Sequence, residues 1–94
     1  MAFVLIRFTV EDFEKWKSVF EEAATMRKTA GSKGVRAFTK VDSSNEVTIL
    51  AEYANLETAR QFFQSPELRA AQQSAGLKAP PELSFLDEKF SLPT

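Results

Sequence analysis

The stretch Val35-Arg36-Ala37-Phe38-Thr39-Lys40-Val41-Asp42-Ser43-Ser44-Asn45-Glu46-Val47-Thr48-Ile49-Leu50-Ala51-Glu52-Tyr53 decides the fold. Val35, Ala37, Thr39 and Val41 fall on one face of its first run, with Arg36, Phe38 and Lys40 on the other. In the second run Val47, Ile49, Ala51 and Tyr53 stand opposite Thr48, Leu50 and Glu52. A period of two marks strands that cover an apolar layer. Asp42-Ser43-Ser44-Asn45 between the runs has turn chemistry. The stretch therefore reads as a hairpin of strands Val35–Val41 and Glu46–Tyr53.

Working outward, Phe3-Val4-Leu5-Ile6-Arg7-Phe8-Thr9-Val10 is β-branched and aromatic, and reads as a strand. Thr9 with Asp12 resembles a capping box, and Glu11, Asp12 and Glu14 suit the positive end of a helix dipole. The following helix carries Phe13, Trp16, Phe20, Ala23 and Arg27 on one stripe, with Val19 and Met26 beside it. Gly31 is its expected stop. Beyond the hairpin, Asn55 caps a helix from Leu56 to Gln64, and Ser65-Pro66 restarts it. Leu68, Ala71 and Ala75 form the inward stripe of that second segment, and Gly76 ends it. Leu83-Ser84-Phe85-Leu86 begins a last strand. The order βαββαβ predicts an α+β, ferredoxin-like subunit, one domain over residues 1–94, with a four-stranded sheet and helices on one face. Right-handed crossovers put the first and third strands in the middle.

Such a sheet has one face too many. The helix side takes Val4, Ile6, Phe8, Val35, Ala37, Val41, Val47, Ile49, Ala51, Leu83 and Phe85. The other side should be polar in a monomer, yet it holds Phe3, Leu5, Phe38, Leu50 and Leu86 among Arg7, Arg36, Lys40, Glu52 and Glu88. A patch of this kind marks an interaction surface. A second copy related by a two-fold axis is the simplest cover, with the mixed charges setting register. The expected partner is thus the chain itself, through Phe3, Leu5, Arg7, Arg36, Phe38, Lys40, Leu50, Glu52 and Leu86.

Composition narrows the chemistry. The 94 residues are 44% apolar and 27% charged, with a net charge of −1. This is globular composition, without the positive charge that nucleic acid or an anionic membrane selects. RNA-recognition domains share the strand order, but Asn45–Ala51 lacks the aromatics they need on a central strand. There is no Cys and no His, so a thiolate nucleophile, a sulfur-ligated metal and the usual neutral-pH base are excluded. No metal or cofactor is expected. The start Met1–Val10 lacks the form of a secretory signal, no apolar run has the length of a membrane span, and the expected location is the cytoplasm.

The chain resembles the dimeric α/β-barrel superfamily that contains the antibiotic biosynthesis monooxygenases, and within it a group of small bacterial cyclase-like proteins. The resemblance rests on Val10-Glu11-Asp12-Phe13-Glu14-Lys15-Trp16, then Phe20 and Arg27. It continues through Asp42-Ser43-Ser44-Asn45-Glu46-Val47, Ala59-Arg60-Gln61-Phe62 and Ser65-Pro66-Glu67-Leu68, to Ala75-Gly76-Leu77, Pro80-Pro81 and Phe85-Leu86. It implies a homodimer whose two sheets close into a barrel, with a cavity between sheet and helices in each subunit. Phe8 stands where the group often has a first-strand His, and Asp42-Ser43-Ser44-Asn45 replaces the group's usual Asp-Asp-Pro-Asn turn. Haem-binding relatives use a His ligand, which this chain lacks.

Trp16, Phe20, Arg27, Tyr53 and Phe62 are the candidate ligand-binding residues. Trp16 offers a flat stacking surface and one N–H donor, or a core anchor. Tyr53 could hydrogen-bond a ligand oxygen or relay a proton, or be a core tyrosine. Arg27 on an apolar stripe needs a partner. It could hold a carboxylate or enolate, pair with a glutamate, or cap the helix end. Arg27 and Tyr53 are the catalytic candidates. The leading expectation is a cofactor-free homodimer that binds a small apolar or aromatic compound and oxygenates, cyclises or isomerises it. The alternative is a non-catalytic binding, stress-response or regulatory module with a packed core.

Overall fold

A computed structural model describes residues 2–94. The elements follow in the order β1 (Ala2–Thr9), α1 (Phe13–Glu22), α2 (Ala24–Thr29), β2 (Ser32–Lys40), β3 (Ser43–Tyr53), α3 (Leu56–Phe63), α4 (Pro66–Ser74) and β4 (Glu82–Leu86). The strands form one antiparallel sheet ordered β2-β3-β1-β4. The α+β, ferredoxin-like architecture is borne out, including the central position of the first and third strands. The first crossover is built from two short helices rather than one, and the second from two, as the restart at Ser65-Pro66 predicts.

Register fixes the two faces. Val4 pairs with Ala51, Ile6 with Ile49 and Phe8 with Val47. On the flanks Val35 pairs with Ala51, and Phe85 and Leu83 pair with Val4 and Ile6. These residues share the helix side. Val4, Ile6, Val47, Ile49, Ala51 and Tyr53 are buried there with Trp16, Ala59, Phe62 and Ala75 in a single core. Phe3, Leu5, Arg7, Arg36, Phe38, Leu50, Glu52 and Leu86 alternate with that set and so share the open face. Phe38 and Leu86 are 47% and 40% exposed, while Phe3, Leu5 and Leu50 are half-buried by their neighbours.

Three local expectations are corrected. The hairpin turn is Val41-Asp42, not Asp42-Ser43-Ser44-Asn45, because β3 already starts at Ser43. Thr39 pairs with Val47 but Lys40 pairs with Ser43, an irregularity that leaves three extra β3 residues between those pairs. It ends the alternation before Val41, which is fully exposed at the turn instead of on the helix side. Lys40 Nζ reaches Glu46 Oε1 at 3.7 Å beside this irregularity, with both side chains largely exposed. The first helix is capped by Asp12 rather than Thr9: its carboxylate accepts from the Glu14 and Lys15 N–H groups at 3.0 and 3.3 Å. Thr9 remains within the strand. Ala37 faces the helix side by register, yet is exposed on the edge strand β2.

The other punctuation follows the sequence. Asn55 caps α3 through the Thr58 N–H, and Ser65 caps α4 through the Leu68 N–H, with Pro66 in the first turn. Gly31 and Gly76 leave α2 and α4 with φ of +96° and +80°, the left-handed region a helix exit favours. Their carbonyls then accept from Ala54 N and Glu11 N, tying both exits to the sheet. Removing the cap with Asp12→Ala is expected to cost ~0.5–2 kcal/mol, read as a lower urea midpoint at unchanged denaturant slope.

Candidate functional site

The space between helices and sheet is not filled. A cavity of about 70 Å³, partly open to the surface, lies there. It is several times the ~10–15 Å³ that one water centre requires. Ile6, Phe8, Ile49 and Ala51 form its floor, and Trp16, Val19, Phe20, Ala23 and Met26 one wall. Phe62, Phe63, Leu68, Ala71 and Ala75 form the other. Four lining side chains carry polar atoms: Trp16, Arg27, Tyr53 and Gln72. Among the described residues, the lining contains no carboxylate and no lysine.

The first helical pair sets the polar end. Trp16 is 4% exposed and stacks on Phe20 at a centroid distance of 5.0 Å, with Phe8 and Phe13 tilted against it at 5.5 Å each. The helix then breaks at Ala23, whose N–H turns back to the Val19 and Phe20 carbonyls. Arg27 takes the position this break creates. Its Nη1 donates to the Phe20 carbonyl and its guanidinium carbon lies 3.7 Å from the centre of the Phe20 ring. An inserted side chain is a recognised cause of such a break. Of the alternatives for Arg27, the helix-end cap is what forms. No carboxylate among the described residues lies within ion-pair distance of it. Capping uses one of five N–H donors.

Tyr53 closes β3 from the opposite side. It is 1% exposed, its ring meets Phe62 at 6.0 Å and Phe63 at 5.8 Å, and its remaining surface opens on the cavity. Its hydroxyl has no hydrogen-bond partner among the described residues. Burial pushes the phenol from 10 up to about 12, against the smaller opposing pull of the Arg27 charge. Tyr53 is therefore a neutral donor at physiological pH. Burial also lowers the Arg27 pKa, with Tyr53 acting in the opposite sense. A guanidinium titrates so high that it remains a cation.

All five predicted ligand-binding residues, Trp16, Phe20, Arg27, Tyr53 and Phe62, line this one cavity. Gln72 was missed. It sits four residues after Leu68 and three before Ala75, on the stripe already assigned to α4, so spacing could have found it. The acidic trio Glu11, Asp12 and Glu14 lies outside the cavity at the start of α1. No group of three metal-ligating side chains is present among the described residues.

A family model described as antibiotic biosynthesis monooxygenase matches residues 1–74. The chain belongs to this family. Its fold is similar to that of SnoaB, a cofactor-independent oxygenase from Streptomyces nogalater, at a TM-score of 0.81 and 18% identity. That match covers 99% of this chain and 97% of SnoaB. An antibiotic biosynthesis monooxygenase-like protein from Bordetella bronchiseptica matches at a TM-score of 0.81 and 13% identity, over 95% of this chain and 97% of that one. At such identities the likeness is one of fold. No curated protein matches the sequence. Among the described residues no helix is long and apolar enough to cross a membrane.

Tyr53 is the only tyrosine of this family member, so its titration can be read directly. Tyrosinate absorption in the folded protein is expected near pH 12, not near 10. The native state holds the proton more tightly than the unfolded chain, so Tyr53 contributes falling stability as pH rises from 10 to 12. A midpoint near 10 before unfolding would contradict the burial.

Proposed function

We propose that this protein is a cofactor-free homodimer that binds a small, largely apolar or aromatic compound in the helix–sheet cavity, and oxygenates, cyclises or isomerises it. The cavity carries the reading: an apolar chamber lined by one cation, from α2, and one neutral hydroxyl, from β3. At about 70 Å³ the chamber is smaller than a ring needs, so side chains at its open end move aside on entry; once filled, it excludes water and strengthens the few polar contacts it makes. Arg27 then holds negative charge on the compound, Tyr53 donates a hydrogen bond to its oxygen, and Trp16 and Phe20 supply aromatic surface. The high pKa of the phenol favours the donor role for Tyr53 over that of a base. Family membership and the fold shared with a cofactor-independent oxygenase support the activity.

The dimer is supported by the open sheet face. Leu5 and Leu50 are paired at its centre, and Phe3, Phe38 and Leu86 surround them with no helix above. Phe90 and Leu92, beyond the last strand, are a further 78% and 69% exposed. Back-to-back packing of two such sheets buries this surface and lets Glu52 of each copy pair with Arg7 or Arg36 of the other across the axis. Sedimentation is expected to give twice the 10.6 kDa chain mass at micromolar concentration. Leu50→Asp should release monomers, and a wild-type particle of single-chain mass would refute the dimer.

Ligand entry is expected to change the fluorescence of Trp16, the only tryptophan. Titration with hydroxylated aromatic compounds, with oxygen uptake followed in parallel, tests binding and turnover separately. Spectral silence with every compound would remove the binding reading. Binding without turnover in any assay would favour a ligand-binding module.

A further inference from the structure

We infer that the cavity takes its compound as a ready-made anion, an apolar monocarboxylate whose oxygens meet Arg27 and Tyr53. This rests on the binding reading above and narrows it to a ligand class. Three observations lead to it. First, Arg27 lies in an apolar lining with no carboxylate at ion-pair distance among the described residues, its only hydrogen bond going to the Phe20 carbonyl. Arg27 is half-buried and keeps part of its contact with water, and a ligand carboxylate supplies a countercharge where the guanidinium still has unused donors. Second, Tyr53 is buried as a residue, while its hydroxyl, which bonds to no described residue, keeps accessible surface and opens on the same chamber. It gives a second donor for the second carboxylate oxygen.

Third, nothing lining the chamber can ionise a neutral ligand. The titratable lining groups are Arg27, already a cation, and Tyr53, already a neutral acid. Gln72 and Trp16 do not titrate, and the whole chain has no His or Cys. A phenol or alcohol entering uncharged would keep its proton and leave Arg27 without a countercharge. A carboxylic acid arrives ionised at neutral pH and needs no base. The apolar walls select the rest of the molecule: a ring or short chain against Phe8, Phe62 and Leu68, with no second charge.

Equilibrium dialysis of the full-length protein at neutral pH against benzoate, cinnamate, benzamide, cinnamamide and phenol tests this. Each acid is expected to bind at least about tenfold more tightly than its amide, the scale of a hydrogen bond to a charged group. Phenol should rank with the amides. Arg27→Gln should bring the acid-to-amide ratio toward one, Arg27→Lys should retain part of the preference, and Tyr53→Phe should weaken the acids a few-fold. The acid-to-amide ratio of the wild type decides the matter even if the Arg27 variants do not fold. Equal binding of acids, amides and phenol overturns the anion assignment and leaves the apolar-ligand reading standing. So does an acid preference that survives in Arg27→Gln. No retention of any of the five compounds overturns the assignment together with that reading.

Discussion

The pairing of β1 with β3 is the constraint on which the rest depends. It brings Val4, Ile6 and Phe8 beside Ala51, Ile49 and Val47, and lays down the floor of the core and of the cavity together. Because side chains alternate with a period of two, a one-residue slip of β3 would turn Val47, Ile49 and Ala51 to solvent and bring Leu50 and Glu52 under the helices. Tyr53 would leave the cavity in the same slip, since it belongs to the parity of Val47, Ile49 and Ala51. The sheet resists this by burial of the Val4 and Ala51 positions and by Trp16, which presses on Phe8 from above. Fold and site therefore share one register. The open face is its unavoidable counterpart, because the apolar residues excluded from the core have no other side to occupy.

The second determinant is the break at Ala23. A continuous helix would satisfy the Phe20 carbonyl along its own backbone. The break leaves that carbonyl to the Ala23 N–H and the Arg27 guanidinium, and the guanidinium then rests on the Phe20 ring. One local irregularity thus holds a cation at the edge of an apolar chamber without an acidic partner. Neither contact neutralises it: a carbonyl and an aromatic face offer only partial negative charge. The electrostatic imbalance of the site is consequently built into helix geometry, and the aromatic stack Trp16–Phe20 is its support.

Much of this was legible in the residues. Strict alternation over Val47–Tyr53 gave the central strand, and spacings of three and four gave the stripe Phe13, Trp16, Phe20 and Arg27. Asn55, Ser65, Gly31 and Gly76 marked helix ends where they fall. What failed was local and has local causes. Asp42-Ser43-Ser44-Asn45 is polar and reads as a turn, but the β-irregularity between Thr39 and Lys40 takes Ser43, Ser44 and Asn45 into the strand and moves the turn to Val41-Asp42. Thr9 has the right residue type for a cap, but it is committed to β1, so Asp12 takes the role. The break at Ala23 carries no Gly or Pro to announce it; its mark in the structure is the Arg27 side chain returning to the Phe20 carbonyl. Gln72 lies on the inward stripe by its spacing from Leu68 and Ala75, but only the apolar members of that stripe mark it in the sequence.

These features together decide what kind of chemistry the chamber can host. Its polar groups are donors or cations, apart from the amide of Gln72, which can also accept. A site of this character stabilises negative charge but is poorly suited to create it, since proton removal needs an acceptor with a pKa near the working pH. Catalysis of the acid–base kind would need the base to come with the compound itself or from water at the cavity mouth. Desolvation and charge stabilisation, by contrast, need only what is present. An anion held against Arg27 loses its hydration to apolar walls, and any carbanion or enolate formed next to it is favoured by the same cation. The chamber is thus suited to compounds that bring their own ionised oxygen, and its selectivity and any rate enhancement would arise from the same unbalanced positive charge.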